Sequence, residues 1–257
     1  MGAAQFPIIL TYHSISNGNS PLKVSPALFA EQMQWLRVNA QVASLDAVVT
    51  PLSAHKPLPP RTVVLTFDDG YRDFYVSAAP VLHCLGLPAI VFLPTNFCGR
   101  TNGWSGQPAW VGEEALMDWP QIAELSRQDI CFGGHSVTHP DLTKLPSAEA
   151  EREIVLSKAQ IEEQTGRQVH FFAYPYGRWN AGVRDLVRRH YRGACSTGAG
   201  AVQPDADPLA LPRVDVHYLR QPALFRRLFT RTLLSYVSAR RMVRGLRGQP
   251  EGGYARI

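Results

Sequence analysis

The sequence predicts an α/β fold of parallel strands covered by helices, and three observations support this expectation. Short apolar runs rich in Val, Ile and Phe alternate along the chain with longer segments of helical character. The 257 residues, 45% of them hydrophobic and 18% charged, are enough to bury one core of barrel size. No apolar run reaches the roughly 18 residues that a transmembrane helix needs, so no membrane-spanning helix is predicted.

Six runs of apolar and β-branched residues are the predicted strands. They cover residues 6–12, 62–67, 89–93, 130–132, 169–173 and 193–196. A first helix is predicted to begin at Ser25 and Pro26, because Ser is a good N-cap and Pro suits the first helical position. The other predicted helices cover 75–85, 119–126, 147–165 and 181–189. Residues 95–118 are predicted to be an irregular surface loop that lines a pocket.

The charge is concentrated at the C-terminal end. Residues 213–257 contain ten Arg against Asp215 and Glu251, a net charge of +8, whereas the preceding residues sum to −3. We therefore predict a domain over 1–215 and a basic helical extension over 216–257, and no nucleic-acid partner. An amphipathic helix over 224–243 suits peripheral contact with an anionic membrane; the alternative is a helix packed on the domain with its Arg face in solvent.

The N-terminus and the cysteines bear on the compartment. Residues 1–7 lack the basic and long apolar regions of a secretory signal. The four cysteines show no CxxC spacing, which is typical of thiols rather than of a disulfide framework. These features predict a cytoplasmic protein. They predict no particular oligomeric state.

Acidic residues follow the second predicted strand. Asp68 and Asp69 come directly after the apolar run 62–67 and before Gly70, which permits a sharp turn. In α/β sheets and barrels, ligands and catalytic groups lie at the carboxyl ends of the strands. Two adjacent carboxylates repel each other unless a cation or a proton separates their roles. The alternative is a turn in which both side chains cap backbone amides.

Two histidines follow the fourth predicted strand. His135 and His139 are four residues apart, so both imidazoles can face one point if the segment forms a turn. This spacing is common among zinc ligands, and a carboxylate would be a natural third ligand. The alternative is a structural or surface pair of histidines.

Two further motifs occupy strand ends. Tyr174, Pro175, Tyr176 and Gly177 form a rigid turn whose backbone N–H groups could face an oxyanion, or that only packs an aromatic ring. His13 ends the first strand and is a candidate functional residue. The alternative interpretation is a buried histidine that is hydrogen-bonded to the backbone. The coincidence of all four motifs at predicted carboxyl ends favours one functional site.

Together these motifs resemble the polysaccharide deacetylases with a NodB homology domain, over about residues 6–215. The resemblance implies an irregular (β/α) barrel in which a divalent metal assists hydrolysis of the N-acetyl group of an amino sugar. It implies that Asp68 is the general base and that Asp69 binds the metal. His135 and His139 are implied as the remaining ligands. The implied metal is Zn²⁺, with Co²⁺ or Ni²⁺ as alternatives, and the implied partner is an N-acetylated glycan.

The chain departs from the usual family pattern in two places. The family's late catalytic histidine has only His217 as a counterpart, without the expected apolar strand. His13 instead resembles the acid of the circularly permuted branch typified by poly-N-acetylglucosamine deacetylases, so we favour His13. The third motif begins with Ala173 where the family has Arg. Arg213 is therefore the candidate to orient Asp68, with Asp215 as a neighbouring supporting residue.

The predicted function is metal-dependent removal of N-acetyl groups from N-acetylhexosamine units of a polysaccharide, oligosaccharide or lipid-linked glycan. Asp68 would activate water, and the backbone of Tyr176 beside Pro175 would stabilise the oxyanion. His13 would protonate the leaving amine. Two alternatives remain, namely hydrolysis of a different amide bond on the same barrel and glycan binding without turnover.

Overall fold

The computed structural model describes residues 6–108, 111–230, 233, 235–237 and 239. The strands within this part of the chain are β1 (Ile8–Tyr12), β2 (Gln41–Val42), β3 (Thr62–Phe67), β4 (Ala89–Leu93), β5 (Ile130–Gly134), β6 (Phe171–Ala173), β7 (Gly193–Cys195) and β8 (Val214–Asp215). The α-helices are α1 (Pro26–Asn39), α2 (Asp46–Ser53), α3 (Ala79–Leu85), α4 (Trp119–Leu125), α5 (Ser147–Thr165), α6 (Ala181–His190) and α7 (Pro222–Phe225).

The strands form one curled sheet in the order β7-β6-β5-β4-β3-β1-β8, with β2 paired to β3. Every strand pair in this sheet is parallel. The edge strand β7 makes a parallel bridge from Cys195 to Leu211, three residues before β8 begins. The two edges therefore approach each other, which makes the sheet an incompletely closed (β/α) barrel. The predicted fold class is confirmed.

Alternation along the strands separates the barrel interior from the face that the helices cover. Ile9 and Val64 belong to the interior cluster, which the apolar side chains of α2 share. Their neighbours along each strand pack in the larger cluster with the helices. Continuing the alternation beyond the strand ends brings His13 and Asp68 to the mouth of the barrel. Strand register thus decides which motif side chains meet there.

Several predicted elements match the structure closely, and the misses have local causes. The strands predicted at 62–67 and 89–93 have those bounds in the structure. The segment predicted as one helix over 75–85 begins instead as a π-helix, Phe74–Ala78, before α3. Pro80, at the start of α3, has no N–H to continue an α-helical ladder across this junction. Helix α2 was not predicted, since it has eight residues and contains Pro51.

The described part of the C-terminal extension packs into the main core. Phe225, Leu228 and Val237 are buried there with the side chains of the strands and helices. A single helix beginning at residue 224 is wrong at its start, because α7 ends at Phe225 and a turn covers 226–229. Within the predicted membrane-facing stretch, residues 231–232, 234, 238 and 240–243 lie outside the described residues. The domain boundary at 215 stays a prediction, and no helix in the described ranges has both the length and the apolar character to span a membrane.

Candidate active site

The motif loops hold unusual backbone conformations at the mouth of the barrel. Six non-glycine residues have positive φ in the described part of the chain, and four of them lie in the motif loops: Asp69, Ser136, His139 and Tyr176. Such conformations cost about 1–3 kcal/mol each and persist only where the surroundings impose them. The loops are therefore shaped for something other than local stability, which is typical of a functional site.

Asp68 is held by a two-point contact with Arg213. Nη1 donates to Oδ1 and Nη2 donates to Oδ2, each at 2.7 Å. Arg213 is itself buried, and its Nε donates to the carbonyl of Ser196 at 3.0 Å. Although burial raises the pKa of Asp68, the charge of Arg213 holds it well below its ordinary value. Asp68 is therefore an ionised, oriented carboxylate at neutral pH.

Asp69, His135 and His139 bring three ligand atoms to one point. Oδ1 of Asp69 lies 3.5 Å from Nε2 of His135 and 3.4 Å from Nε2 of His139. The two Nε2 atoms are 3.2 Å apart, and all three residues are buried. Ligands on a tetrahedral ion with bonds of about 2.0–2.1 Å lie about 3.3–3.4 Å from one another. The spacing fits a divalent metal.

The protonation of these groups also fits a metal centre. Nδ1 of His135 lies 2.7 Å from the carbonyl of Ala173, which can only accept, so Nδ1 carries a proton and Nε2 can face the ion. Burial and the neighbouring His135 lower the pKa of His139 to about 3, so its imidazole is neutral at pH 7. Although burial acts the other way, the contact with His135 lowers the pKa of Asp69. Although burial lowers the pKa of His135, its contact with Asp69 raises it, so an ion at Nε2 would displace a proton there. Neutral imidazole and ionised carboxylate are the forms that bind metals.

His13 lies beside Asp68. Its Nε2 is 4.0 Å from Oδ2 of Asp68, and its side chain is 11% exposed, so substrate can reach it. His217 lies on the 3₁₀ turn after β8, where its backbone N–H donates to Asp215 at 2.8 Å. The contact with Asp68 favours His13 as the acid. The supporting role of Asp215 stays a prediction.

Two aromatic rings pack against His139. The ring of Tyr176 lies 4.7 Å from the His139 ring at 71°, and the ring of Trp104 lies 4.3 Å away at 36°. Pro175 is buried in the 3₁₀ turn that carries Tyr176. The structure thus brings the Tyr176 side chain next to His139, one of the three candidate metal ligands. The oxyanion role of the Tyr176 backbone stays a prediction. The loop 95–118 contributes Trp104, a residue that its motif-free sequence did not single out.

Glu153 was also missed by the sequence analysis. From α5 it accepts hydrogen bonds from the backbone N–H groups of Val137 and Thr138, both at 2.8 Å. Its other oxygen accepts from the Thr138 hydroxyl at 2.8 Å. These bonds hold the loop between His135 and His139. A glutamate in the first turns of an amphipathic helix carries no sequence signal for this role.

Arg213→Lys is expected to lower kcat about 10-fold while metal content stays unchanged, because lysine keeps the charge but loses the two-point fork. Arg213→Met is expected to lower kcat further and to destabilise the fold by about 3 kcal/mol, since Asp68 is then a buried, uncompensated charge. Steady-state kinetics, metal analysis and thermal unfolding measure these effects. Wild-type kcat in both variants would show that Arg213 does not orient Asp68.

Trp104→Ala is expected to speed metal dissociation about 10-fold, the scale on which groups supporting a metal ligand act. Nδ1 of His139 is buried without a hydrogen-bond partner among the described residues, so packing holds this ring in place. Trp104→Phe keeps an aromatic face and should stay within about threefold of wild type. Transfer of the metal to a chromogenic chelator gives the rate, with Trp119→Phe as the control, and equal rates for all four proteins would contradict the prediction.

The family comparison identifies which proteins the chain is similar to. A model of the family "Polysaccharide deacetylase" matches residues 55–192. A Bacillus subtilis protein named as a polysaccharide deacetylase, YxkH, is 30% identical over 215 residues, which cover 83% of this chain and 72% of that protein. The region matched by the family model contains Asp68 and Asp69, the two histidines His135 and His139, and the turn at Tyr176.

Two further similarities bear on fold and substrate. The poly-β-1,6-N-acetyl-D-glucosamine N-deacetylase of Escherichia coli is 30% identical over 226 residues, covering 72% of this chain but 33% of that protein. This chain thus corresponds to one third of the length of the Escherichia coli enzyme. The structure of the Streptococcus pyogenes deacetylase PplD in complex with acetate has a TM-score of 0.72 and 27% identity, covering 83% of this chain and 93% of that one.

Proposed function

Because the chain belongs to the polysaccharide deacetylase family, whose members hydrolyse N-acetyl amide bonds, we propose that it deacetylates N-acetylglucosamine units of an exopolysaccharide. The observation that carries this proposal is the position of Asp68. Its carboxylate is fixed by Arg213, lies next to the Asp69 cluster and is 4.0 Å from Nε2 of His13. The proposed base therefore lies within 4.0 Å of the proposed acid and directly precedes a proposed metal ligand.

The residues of the chain account for the proton transfers. Asp68 is ionised at neutral pH and accepts a proton from the attacking water. The oxygen of that water forms a bond to the acetamide carbon at the same time. The C–N bond then breaks, and His13 donates a proton to the nitrogen, because an amine leaves poorly unless protonated. The products are acetate and a free amino sugar. We propose that the backbone of Tyr176, beside Pro175, donates to the carbonyl oxygen as negative charge develops there.

Asp69, His135 and His139 would hold the divalent metal that deacetylases of this family use. When bound, such an ion polarises the acetamide carbonyl and lowers the pKa of water. We propose Zn²⁺ as the ion, since two imidazoles and one carboxylate are a donor set typical of catalytic zinc, and Co²⁺ or Ni²⁺ suit the same donors.

Acetate release from an N-acetylglucosamine oligomer tests the proposed function. We expect release by the holoenzyme, loss of release after chelation and recovery when Zn²⁺ is added back. The β-1,6-linked polymer, named for the Escherichia coli relative, is expected to be a better substrate than a β-1,4-linked oligomer. Oligomer binding without acetate would favour a glycan-binding module, and turnover of non-sugar amides alone would favour a different amidase.

His13→Ala is expected to lower deacetylation about 10²-fold without releasing the metal, because the variant lacks the proton donor for the leaving nitrogen. Rates and metal content are measured together, with His217→Ala as the matched control. A large loss in His217→Ala and none in His13→Ala would move the acid to the later histidine.

We also propose peripheral contact with an anionic membrane through the basic extension. The density of Arg after residue 213 supports this proposal. Co-sedimentation of the full chain with phosphatidylglycerol vesicles tests the membrane contact, which should weaken as salt is raised. Equal recovery with neutral vesicles would contradict it.

A further inference from the structure

We propose that Asp73 is a positioning residue that fixes the chain segment carrying His13, and thereby fixes where His13 delivers its proton. This inference rests on the proposed role of His13 as the acid of the deacetylation. Asp73 lies outside the four motifs at the strand ends. Asp73 acts through the backbone next to His13 and not by touching the substrate.

Both oxygens of the Asp73 carboxylate bind the two residues that follow His13. Oδ1 accepts from the backbone N–H of Ile15 at 2.8 Å, and Oδ2 accepts from the hydroxyl of Ser14 at 2.5 Å. Ser14 and Ser16 are themselves joined through their hydroxyl oxygens at 2.7 Å. Asp73 is 58 residues from Ile15 in sequence, so these bonds tie two distant segments together. The carboxylate thus anchors the segment by a backbone bond and a side-chain bond.

The sheet does not hold His13 by itself. Strand β1 ends at Tyr12, whose carbonyl accepts from the N–H of Asp68 at 3.0 Å. Beyond that bond, Ser14 forms a parallel β-bridge with Lys23, and its hydroxyl donates to Asp73, which lies much further along the chain. His13 is therefore the single residue between the end of the parallel ladder and the anchored segment. Loss of the anchor would let its imidazole shift relative to Asp68.

The placement of Asp73 explains why such a shift would affect catalysis. Asp73 lies four residues after Asp69, in the short helical segment that follows the turn at Asp69 and Gly70. One short segment therefore carries Asp68 and Asp69 and also holds the loop of the acid. Proton transfer requires a heavy-atom distance of about 2.6–3.2 Å, and a misplacement of about 1 Å can lower rates about 10²-fold. Asp73 therefore keeps His13 in a fixed position relative to Asp68.

Two substrates separate acid positioning from a general loss of structure. An N-acetylglucosamine oligomer needs protonation of its leaving nitrogen, whereas 4-nitrophenyl acetate releases a phenolate that leaves without a proton. Asp73→Ala is expected to lower kcat on the oligomer about 30-fold, with KM, metal content and ester hydrolysis within about twofold of wild type. Asp73→Asn keeps an oxygen for the Ile15 N–H and should lose less, about fivefold.

Controls make each outcome decisive. Asp207→Ala removes another half-buried carboxylate, which accepts from the backbone N–H two residues later in the chain. This variant should leave the turnover of both substrates unchanged. Ser14→Ala combined with Asp73→Asn should cost less than the two single effects multiplied, since both changes break one contact. If Asp73→Ala does not fold, the Asp73→Asn and Ser14→Ala variants test the positioning role of Asp73 in the same assay.

His13→Ala is measured beside these variants, so that the positioning role of Asp73 and the proposed acid role of His13 are tested separately. Selective loss of oligomer turnover in His13→Ala, with no selective loss in the Asp73 variants, would overturn the role of Asp73 and leave the proposed function standing. Equal loss on both substrates in the Asp73 variants would overturn it as well. No selective loss in His13→Ala would instead reject His13 as the acid.

Discussion

A double variant with His135→Ala and His139→Ala is expected to bind no stoichiometric metal and to release no measurable acetate. The two Nε2 atoms lie 3.2 Å apart and within 3.5 Å of the Asp69 carboxylate, so they supply two of the three ligand atoms. A single remaining carboxylate is too weak a site to retain a divalent ion against buffer. Metal analysis of the purified protein, followed by the acetate assay, measures both effects.

The control for this variant removes two histidines outside the cluster. His83 is exposed on α3 and His170 lies just before β6, so a variant with both replaced by Ala should retain metal and activity. Far-ultraviolet circular dichroism checks that both proteins are folded. Full metal occupancy in the His135, His139 variant would show that the ion binds elsewhere, and the metal assignment would be wrong.

Asp68→Asn is expected to retain metal and to lose about 10³- to 10⁴-fold in kcat. Asparagine keeps the shape of the side chain but cannot take a proton from water, which removes the general base. It also leaves the buried guanidinium of Arg213 without its carboxylate, so thermal stability should fall as well. Turnover of the oligomer, metal content and unfolding temperature are measured on the same preparation.

Asp69→Asn is the matched comparison, since it changes the neighbouring carboxylate in the same way. It should lose metal affinity, whereas Asp68→Asn should not, because only Asp69 contributes to the cluster with His135 and His139. A reversed pattern would exchange the roles of the two aspartates. Near-normal rates in Asp68→Asn would move the base to another group.

Local sequence patterns were sufficient for most of the barrel. The apolar runs at 62–67 and 89–93 predicted β3 and β4 with their bounds, because a buried parallel strand needs a continuous apolar run. Ser25 and Pro26 predicted the start of α1, where Ser25 accepts from Leu28 as a cap. The same logic failed for α2, whose eight residues include Pro51 and are stabilised by burial against the barrel interior.

Contacts across the barrel had no comparable signal. Glu153, Trp104 and Asp73 lie outside the motifs, and each acts on a motif residue through a contact between distant segments. Arg213 was predicted only because this chain has Ala173 where the family motif has its arginine. Nothing in the residues around Arg213 shows that its guanidinium reaches Asp68, 145 residues away.

The sequence by itself determined most of the strands and helices in their order, the motifs at the strand ends and the chemical types of the candidate site residues. These properties depend on periodicity and on short segments, which act within about one turn or strand. Only the tertiary structure decided which atoms meet: the ligand spacing around Asp69, the fork of Arg213 on Asp68 and the approach of His13. Those distances depend on parallel register and on the curling of the sheet, since both bring the carboxyl ends of distant strands to one mouth.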